Sequence, residues 1–522
     1  MEQKANASSG VLMATAATDE AVAEPRNRFA LAVGVVVAAA FYRSLSMWTA
    51  NAWDLSSPLK ILLIGAVIAF LGVALLLLLS SSGLRPVSAA LCVAGLILTV
   101  MNWQNLEESM RPLLIVLIIL IFGWLGQRSR ATHLWGWLAV VFVSAFGLAP
   151  VIQLVGAHVQ NSVPYPLVER RAPDPATASG VIEDVVVVVA DSYPNLDIAE
   201  NWFGHDAGPL TEDLEMLGFT VEPGAWSQHT FTALSVPSIL ELQSVIEGGP
   251  TGPWRNRSSL FRLARGENFV AQTLQSAGFR YTHIESGWDG TGCGQRVDHC
   301  VRAPLLDEQA WELLHPTIAM SWVKDGYFTA PGTFNTAEAL EQELDALVSN
   351  GSQDFVFAHF LLPHDPVVVG ETCDTVAGIA PRGVDVDILR AAFSDQMTCV
   401  DRLLVTALEP VDADTAVLVT GDHGPSTGGQ LGRTPEQWSD ADIAERFSVL
   451  LAYKLPDECV RSAQSDPIAA MTAILSCALE ADFVAPTPEY LIGADDPGLV
   501  EAGRMRRIQA LVASGSLPPD AD

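Results

Sequence analysis

One apolar segment runs directly into an acid and an imidazole, and this junction constrains the fold more than any other part of the chain. The run Thr415–Gly421 is followed at once by Asp422 and His423. A strand that is buried on both faces is almost continuously apolar, which is typical of parallel sheets. Ligands of such sheets bind beyond the carboxyl ends of the strands. The pattern therefore predicts an α/β domain with a polar site at this strand end.

Two further segments show the same pattern of an apolar run that ends in polar groups. Five valines lead to Asp191, and the run Asp354–Leu362 leads to His364 and Asp365 between two prolines. Carboxylates and imidazoles released together at strand ends suit a borderline divalent ion such as zinc or manganese. A simple turn would explain Asp-His-Gly alone. The predicted site therefore depends on the agreement of all these segments.

A fourth segment brings hydroxyl groups to the start of an apolar helix. The segment Gln228–Leu240 carries Thr230, Thr232 and Ser235 before the predicted helix Val236–Ser244. Free N–H groups at a helix N-terminus, together with the helix dipole, favour a bound or covalent phosphoryl group. A hydroxyl in this position is a candidate nucleophile.

Taken in chain order, these segments resemble the alkaline phosphatase superfamily, and within it the membrane-bound lipoteichoic acid synthases and phosphoethanolamine transferases. The resemblance implies one divalent metal ion, zinc or manganese, held by Asp191, Thr232, Asp422 and His423. It implies that Thr232, within a Thr-Ala-x-Ser-Val-Pro pattern, is the nucleophile that becomes phosphorylated. It also implies that His364 contacts the phosphate of the substrate.

The chain departs from its relatives at two places. Ser235 is the alternative nucleophile, because the segment around it partly matches the sulfatase signature, but Ile239 stands where that signature has arginine. Formylglycine at Ser235 is therefore not expected, and a sulfate ester is the least favoured substrate. The loop Pro425–Ser439 lacks the histidine that many relatives have and offers Gln430 and Arg433. We accordingly expect a single metal ion, with Arg433 as a substrate contact.

Further candidate substrate contacts lie near these motifs. Glu285 and Trp288 follow a predicted strand and are predicted to line the pocket, with packing as the alternative for Trp288. Asp365 and His229 are also candidate substrate contacts, with helix capping as the alternative for His229. His359 lies inside an apolar strand and is interpreted as a core histidine.

The first 157 residues differ in composition from the rest of the chain. They contain seven acidic and nine basic residues, whereas the remainder contains 53 acidic and 20 basic residues. Five apolar stretches, some shorter than the ~20 residues of a full span, predict membrane helices. They are Phe29–Trp48, Leu62–Leu79, Val87–Met101, Leu113–Gly126 and Leu134–Leu154. The basic residues between spans predict a cytoplasmic N-terminus and an extracytoplasmic segment after the fifth span.

These patterns predict five regions: a disordered cytoplasmic tail (1–28), a five-helix transmembrane domain (29–157), a juxtamembrane linker (158–181), a catalytic ectodomain (182–490) and a C-terminal extension (491–522). Alternating strands and helical stretches in the ectodomain predict a mainly parallel sheet covered by helices on both faces. The predicted strands are Glu183–Ala190, Arg280–Glu285, Asp354–Leu362, Thr415–Gly421 and Arg446–Tyr453. The predicted helices include Leu210–Leu217, Val236–Ser244, Ala337–Val348, Val386–Leu408 and one near Val500–Val512.

Six of the seven cysteines lie after the fifth predicted span. An even number in an extracytoplasmic region predicts disulfides, for which six cysteines allow fifteen pairings. Pairing between sequence neighbours has the lowest cost in loop closure and gives Cys293–Cys300, Cys373–Cys399 and Cys459–Cys477. Metal binding by these thiols is the alternative, although no Cys-x-x-Cys pair occurs.

The resemblance and the predicted membrane domain imply an enzyme of the inner or plasma membrane. It would transfer a phosphoryl-linked headgroup from a membrane phospholipid, through Thr232, to an envelope glycan or lipid. The acidity of the second half disfavours nucleic acid as a partner. A phosphodiester or sulfate-ester hydrolase of the same fold is one alternative. A catalytically inactive envelope scaffold or binding module is an alternative of another class.

Overall fold

The computed structural model describes residues 177–246, 258–303, 331–350, 352–379, 384–459, 465–479, 481–493 and 498–516, with scattered single positions before them. The chain divides into two compact units, Met1–Val159 with Glu312–Lys324, and Gln160–Trp311 with Asp325–Asp522. The five predicted spans lie in the first unit, almost wholly outside the described residues. Within the described residues, no helix is both long and apolar enough to cross a bilayer.

A seven-stranded sheet lies at the centre of the second unit. In chain order the described strands are β1 (Asp184–Ala190), β2 (Thr220–Val221), β3 (Arg280–Ile284), β4 (His299–Val301), β5 (Asp354–Phe360), β6 (Val367–Val369), β7 (Thr375–Ile379), β8 (Thr415–Gly421), β9 (Leu451–Lys454), β10 (Leu491–Ile492) and β11 (Gly498–Leu499). The sheet order is β2-β9-β8-β1-β5-β3-β4, while β6 with β7 and β10 with β11 form separate pairs. Strands β8, β1, β5, β3 and β4 are parallel, and β9 is antiparallel to both of its neighbours. The predicted mainly parallel sheet is confirmed.

Helices cover both faces of this sheet. The described helices are α1 (Leu196–Phe203), α2 (Gly208–Met216), α3 (Thr232–Glu241), α4 (Ser258–Ala264), α5 (Phe269–Ser276), α6 (Pro331–Asn350), α7 (Val386–Leu408), α8 (Asp440–Phe447), α9 (Pro467–Ala478) and α10 (Ala502–Ala513). Successive side chains of a strand face opposite sides. In β1, Val186 and Val188 join a core with α1, α2, α6, α7, α8 and α10, whereas Val185 and Val187 join a core with α3, α4, α5 and α9. Burial on both faces explains the continuous valine run.

The predicted strand Arg446–Tyr453 is wrong in its first part. Helix α8 extends to Phe447, and β9 begins only at Leu451. Ser439 and Asp442 form a capping box that starts this helix. Because a short apolar run does not distinguish a buried helix end from a buried strand, the pattern could not locate the boundary.

The predicted start of α3 is also wrong, and the difference matters for the site. The helix begins at Thr232, four residues before the predicted start at Val236, and Pro237 lies inside it. Proline has no N–H, so the sixth position of this helix cannot donate the usual hydrogen bond to the carbonyl of Ala233. Thr232 is the first helical residue.

Three disulfides fasten the segments that surround the sheet. They join Cys293 to Cys300, Cys373 to Cys399, and Cys459 to Cys477, which confirms the pairing between sequence neighbours. The first closes the segment between β3 and β4. The second ties the connection between β6 and β7 to helix α7, and the third ties the segment after β9 to helix α9.

Candidate metal centre

The carboxyl ends of β1 and β8 bring two aspartates to the same edge of the sheet. Ala190 pairs with Gly421 in the parallel register, so that the next residues, Asp191 and Asp422, emerge side by side. His423 follows directly. Its Nε2 atom lies 3.3 Å from Asp422 Oδ2 and 3.7 Å from Asp191 Oδ1. Strand register alone therefore assembles three candidate metal ligands.

Ser192 connects the two segments that carry these ligands. Its φ of 65° lies in the left-handed region, which is uncommon for residues other than glycine. Its N–H donates to Asp422 Oδ1 at 3.1 Å, and its Oγ donates to Asp191 Oδ1 at 3.1 Å. The same Oγ lies 3.2 Å from His423 Nδ1. These contacts stabilise an unfavourable backbone conformation and orient all three side chains.

Glycine at position 421 permits this close approach. A Cβ atom there would collide with the carbonyl oxygen of Tyr193. That carbonyl accepts the N–H of Leu450 at 3.0 Å, and the Tyr193 hydroxyl donates to Asp401 Oδ1 at 2.6 Å. The turn after β1 is thus held by the segment directly before β9 on one side and by helix α7 on the other.

Thr232 reaches the same point from the N-terminus of α3. Its Oγ1 lies 3.1 Å from His423 Nε2 and beside the Asp422 carboxylate. Ser235 instead donates its hydroxyl to a carbonyl one turn back in its own helix, at 3.0 Å. The Thr230 hydroxyl accepts a backbone N–H of the C-terminal segment at 3.0 Å. Of the three candidate hydroxyls, Thr232 is therefore the one that faces the acid and the imidazole.

Burial shifts the pKa values of all three ligand side chains. The pKa of Asp191 is raised well above its ordinary value by burial and then by the neighbouring Asp422 carboxylate. Burial also raises the pKa of Asp422, against the hydrogen bond from Thr232. The pKa of His423 is lowered well below its ordinary value by burial and then by the Arg446 charge. Two buried carboxylates beside a neutral imidazole favour a cation between them.

The donor set fits one divalent ion. Asp191, Asp422 and His423 offer atoms that all lie within 4.8 Å of one another, a spacing that bonds of ~2 Å to one ion can bridge. Asp422 Oδ2 is buried and has no hydrogen-bond partner among the described residues, as expected of an atom that a cation would satisfy. His423 Nδ1 lies 3.1 Å from the Gly424 carbonyl, which leaves Nε2 for the ion. Such oxygen and nitrogen donors suit a metal such as zinc.

A second group of acidic and sulfur side chains is not a metal site. Glu285, Cys293 and Cys300 lie close together, but the two sulfurs form a disulfide. Glu285 Oε1 accepts the Cys293 N–H at 3.1 Å, and Oε2 accepts the Ala303 N–H at 3.0 Å. Both carboxylate oxygens therefore hold the disulfide loop. This geometry does not support Glu285 as a substrate contact.

His359, interpreted from the sequence as a core histidine, lies beside the Asp191 carboxylate. It is fully buried, and its Nε2 lies 3.6 Å from Asp191 Oδ2 without a hydrogen-bond partner among the described residues. Its Nδ1 is 2.7 Å from the Thr291 hydroxyl. Burial lowers the pKa of His359 to about 3, so the ring is neutral. Trp288 packs edge-on against Phe261, and its ring centroid lies 6.2 Å from that of His359.

His364 and Asp365 lie in the segment after β5 and are half-buried. The ring centroids of His364 and His423 are 6.2 Å apart. Asp365 Oδ1 is 3.7 Å from His364 Nδ1, and the peptide bonds before Pro363 and Pro366 are both cis. This segment therefore brings an accessible imidazole next to the candidate ligands.

Two other predicted substrate contacts have different partners. His229 is fully buried, and its Nε2 lies 3.2 Å from Ser244 Oγ, so the ring contacts the protein interior. It does not cap α3, because the N-cap residue is Phe231. Arg433 donates to Asp442 Oδ2 at 2.8 Å. The geometry gives both side chains structural partners and does not support substrate contact.

Arg446 is the site residue that sequence reasoning missed. It lies in the last turn of α8 with only 2% of its surface exposed. Its Nε donates to the Thr230 carbonyl at 2.9 Å, its Nη1 donates to the Gly424 carbonyl at 2.5 Å, and its Nη2 is 3.2 Å from His423 Nε2. The only signal in the sequence was a cation directly before an apolar run, which also describes an ordinary strand start.

Comparison with protein families identifies the class of this protein. The sulfatase family model matches residues 183–458, which is more than half of the chain. The chain belongs to the sulfatase family. It is accordingly an enzyme of the sulfatase and alkaline phosphatase type, that is, a phosphotransferase or hydrolase. No curated protein matches the sequence.

Several solved structures are similar to this chain at low sequence identity. The integral membrane lipooligosaccharide phosphoethanolamine transferase A from Neisseria meningitidis is 13% identical, with a TM-score of 0.41, over 85% of this chain and 95% of that one. The C-terminal periplasmic domain of EcEptC from Escherichia coli is 10% identical, with a TM-score of 0.40, over 66% and 97%. An alkaline phosphatase superfamily protein from Vibrio parahaemolyticus is 14% identical, with a TM-score of 0.38, over 69% and 93%. At these values the similarity supports no conclusion about activity.

Proposed function

We propose that this enzyme is a metal-dependent transferase that moves a phosphoryl-linked headgroup from a membrane phospholipid to an envelope glycan or lipid. Thr232 is the nucleophile and carries the group between donor and acceptor. The observation that carries the proposal is the 3.1 Å contact of Thr232 Oγ1 with His423 Nε2 at the first residue of a helix. A hydroxyl at a helix N-terminus, beside two buried carboxylates, has the surroundings that a covalent phosphoryl group requires.

The reaction consists of two exchanges at phosphorus. In the first, the Thr232 oxygen loses its proton and bonds to phosphorus, while the diacylglycerol oxygen leaves and takes up a proton. In the second, an acceptor hydroxyl loses its proton and bonds to phosphorus, while the Thr232 oxygen leaves and regains a proton. A divalent ion held by Asp191, Thr232, Asp422 and His423 would lower the pKa of the hydroxyl and neutralise phosphoryl oxygens. The half-buried His364 supports charge on those oxygens or exchanges the protons.

The proposed location is extracytoplasmic, with the membrane domain over residues 29–157 supplying the lipid donor. Three disulfides among the described residues support an oxidising compartment. A topology reporter fused after Ala157 should be active outside the cytoplasm. Activity of that reporter only inside the cytoplasm would contradict the orientation.

A sulfate-ester hydrolase is not favoured by the residues around Ser235. Ile239, which stands in place of the sulfatase arginine, is buried in α3. The Ser235 hydroxyl points back along its own helix. Thr232, rather than a modified Ser235, is therefore the proposed nucleophile.

The test is intact-mass spectrometry of the full-length protein, purified in detergent and quenched with acid after incubation with mixed membrane phospholipids. We expect wild type and Ser235→Ala to gain the mass of a headgroup phosphate on Thr232, and Thr232→Ala to gain none. Release of phosphorylated headgroup without any acceptor would assign a phosphodiester hydrolase. An unmodified Thr232 in zinc-supplemented wild type, with no lipid consumed, would contradict catalysis and favour the inactive scaffold.

Metal analysis provides an independent test. The purified protein should hold one zinc or manganese ion per chain, and Asp422→Ala should lose it. Ser235→Ala is the control, because its hydroxyl does not face the donor set. Equal metal content in Asp422→Ala and wild type would exclude the proposed ligand set.

A further inference from the structure

Arg446 carries a buried positive charge that no carboxylate contacts directly. Among the described residues, no carboxylate oxygen lies within 4.0 Å of the guanidinium, although it is nearly inaccessible to water. Its two closest acceptors are backbone carbonyls, and the Phe231 ring centroid lies 5.5 Å from its Cζ. An ion buried in this way is costly unless its donors are used. These donors are used, and they place Arg446 directly between the Thr230–Thr232 segment and the His423–Gly424 segment.

The contact between Arg446 and His423 fixes the form of the imidazole. A guanidinium only donates hydrogen bonds, so the Nε2 atom that lies 3.2 Å from Nη2 must be an acceptor. The proton of the neutral ring is then on Nδ1, which donates to the Gly424 carbonyl at 3.1 Å. This is also the tautomer in which Nε2 is able to bind a metal ion.

An imidazole nitrogen has one lone pair in the plane of the ring. Nε2 therefore accepts from Arg446 or binds a metal ion, but does not do both. Metal binding by His423 would leave a buried, charged N–H on Nη2 without an acceptor, which is unfavourable. An anionic oxygen on Thr232 would satisfy that donor, because Thr232 Oγ1 is 3.1 Å from the same Nε2 atom.

We propose that Arg446 is a further catalytic residue, which holds His423 Nε2 in the metal-free protein and binds a phosphoryl oxygen once that nitrogen binds metal. The inference rests on the proposed function, since it takes Thr232 as the phosphoryl carrier. It also predicts that metal and anion binding are coupled, because the Arg446 guanidinium would lose its contact with Nε2 when His423 holds a metal ion and would then be available to bind the anion. Arginine is suited to this role because its planar donors match phosphate oxygens.

The test measures binding rather than turnover, with full-length protein in detergent, stripped of metal by a chelator. Zinc affinity is measured by competition with a chromogenic chelator, and inorganic phosphate affinity is measured on the zinc-loaded protein. The variants are Arg446→Gln and Arg446→Lys. The matched control is Arg504→Gln, because Arg504 pairs with Asp440 at the other end of α8 at 2.6 Å.

Loss of the guanidinium removes both a competitor for Nε2 and a repelling charge. Arg446→Gln should therefore bind zinc as tightly as wild type or up to about tenfold more tightly, while phosphate affinity of the zinc form falls at least about tenfold. Arg446→Lys keeps the charge and should lose less phosphate affinity. Arg504→Gln should change neither affinity.

Weaker zinc binding in Arg446→Gln, in parallel with weaker phosphate binding, would overturn the proposal and make Arg446 a scaffold for the metal loop. Unchanged phosphate affinity would overturn it as well. If Arg446→Gln shows no cooperative melting transition, the same comparison is made with Arg446→Lys.

These binding measurements consume no lipid, so their result remains valid even if no adduct forms on Thr232. Failure of the proposed function and failure of this inference are thus distinguishable.

Discussion

Strand β1 has an aspartate at its start and another directly after its end, and their surroundings differ. At the amino end, Asp184 accepts the backbone N–H of Asp354 on the neighbouring strand at 2.7 Å. At the carboxyl end, Asp191 faces Ser192, His359 and His423. Burial raises the pKa of both carboxyl groups. Each residue has only 4% of its surface exposed, so the partners decide which aspartate stabilises the sheet and which one is a candidate ligand.

The difference follows from the direction of the chain in a parallel sheet. Beyond the carboxyl ends of β1 and β8, the chain turns away and leaves side chains with lone pairs directed at one another. At the amino ends of the strands, the Asp184 carboxylate accepts a hydrogen bond from the backbone N–H of Asp354. Polar groups at the carboxyl edge should thus control activity, whereas polar groups at the amino edge should control stability.

The largest effect is expected from Thr232→Ala at the carboxyl edge. Removing the hydroxyl removes the proposed phosphoryl acceptor, so the rate of headgroup transfer should fall by at least about 10³-fold. The free energy of unfolding should change by less than about 1 kcal/mol, because the side chain is half-buried and loses only a hydroxyl and one methyl group. Transfer is measured with labelled phospholipid, and unfolding with urea. A variant that retains more than a tenth of the wild-type rate would contradict Thr232 as nucleophile.

Removal of the Cys373–Cys399 disulfide should have the next largest effect. It closes a loop with a sequence separation of 26, against 7 for Cys293–Cys300. Loop-closure entropy predicts a loss of about 3.5 kcal/mol for the first and about 2.4 kcal/mol for the second. Urea unfolding of the two variants, each with both cysteines of one disulfide replaced by serine, measures which loss of stability is larger. Activity should also fall in each variant, because both disulfides fasten segments that follow the carboxyl end of a strand. A larger loss of stability on removal of Cys293–Cys300 would show that loop length does not determine how much each disulfide contributes to the free energy of unfolding.

Much of the carboxyl edge could be predicted from the sequence because it depends on strands. The run Thr415–Gly421 matches the observed strand residue for residue, and Asp191, Asp422 and His423 follow their strands directly. A buried parallel strand leaves few choices for where its last residue lies. The cysteine pairing was predictable for a similar reason, since short loops are the least costly to close.

Contacts that depend on loops and helix ends could not be predicted in the same way. Arg446 belongs to a helix end that resembled a strand start, and its three partners come from Thr230, His423 and Gly424. Glu285 was expected to contact substrate, but its oxygens accept N–H groups of its own loop. Sequence patterns give the residue type, whereas loop geometry decides which donor each polar group meets.

Asp184→Asn tests the amino end of β1 and should increase stability. The pKa of Asp184 is raised to about 6, mainly by burial and further by the Asp354 and Asp412 carboxylates, against the lowering effect of the hydrogen bond from the Asp354 N–H. Because the folded state holds this proton more tightly than the unfolded state, wild type loses stability as pH rises from about 4 to about 6. Asparagine keeps the acceptor and has no charge. The variant should therefore gain about 1–2 kcal/mol over wild type at pH 8 and almost nothing at pH 4.

Urea unfolding at pH 4, 6 and 8 measures this difference, with transfer activity recorded alongside. Activity at pH 8 should be unchanged, because Asp184 lies at the opposite end of the strand from Asp191. A gain that is equal at all three pH values would show that the carboxyl charge is not the cause. A loss of transfer activity would show that polar groups at the amino end of β1 also affect catalysis, contrary to the proposed difference between its two ends.

The smallest effect is expected from Arg433→Gln, in a loop after the carboxyl end of β8. The sequence predicted Arg433 to contact substrate, but its guanidinium donates to Asp442 at 2.8 Å and to the Gly428 carbonyl at 2.7 Å, with 42% of the side chain exposed. An exposed ion pair contributes about 0–1 kcal/mol, so the free energy of unfolding should fall by no more than that. kcat and KM for the lipid donor should each change by less than about twofold, because no contact with the candidate ligands is lost. A KM raised about tenfold at unchanged kcat would show instead that Arg433 leaves Asp442 to bind substrate, and that loop side chains at this edge contribute to recognition.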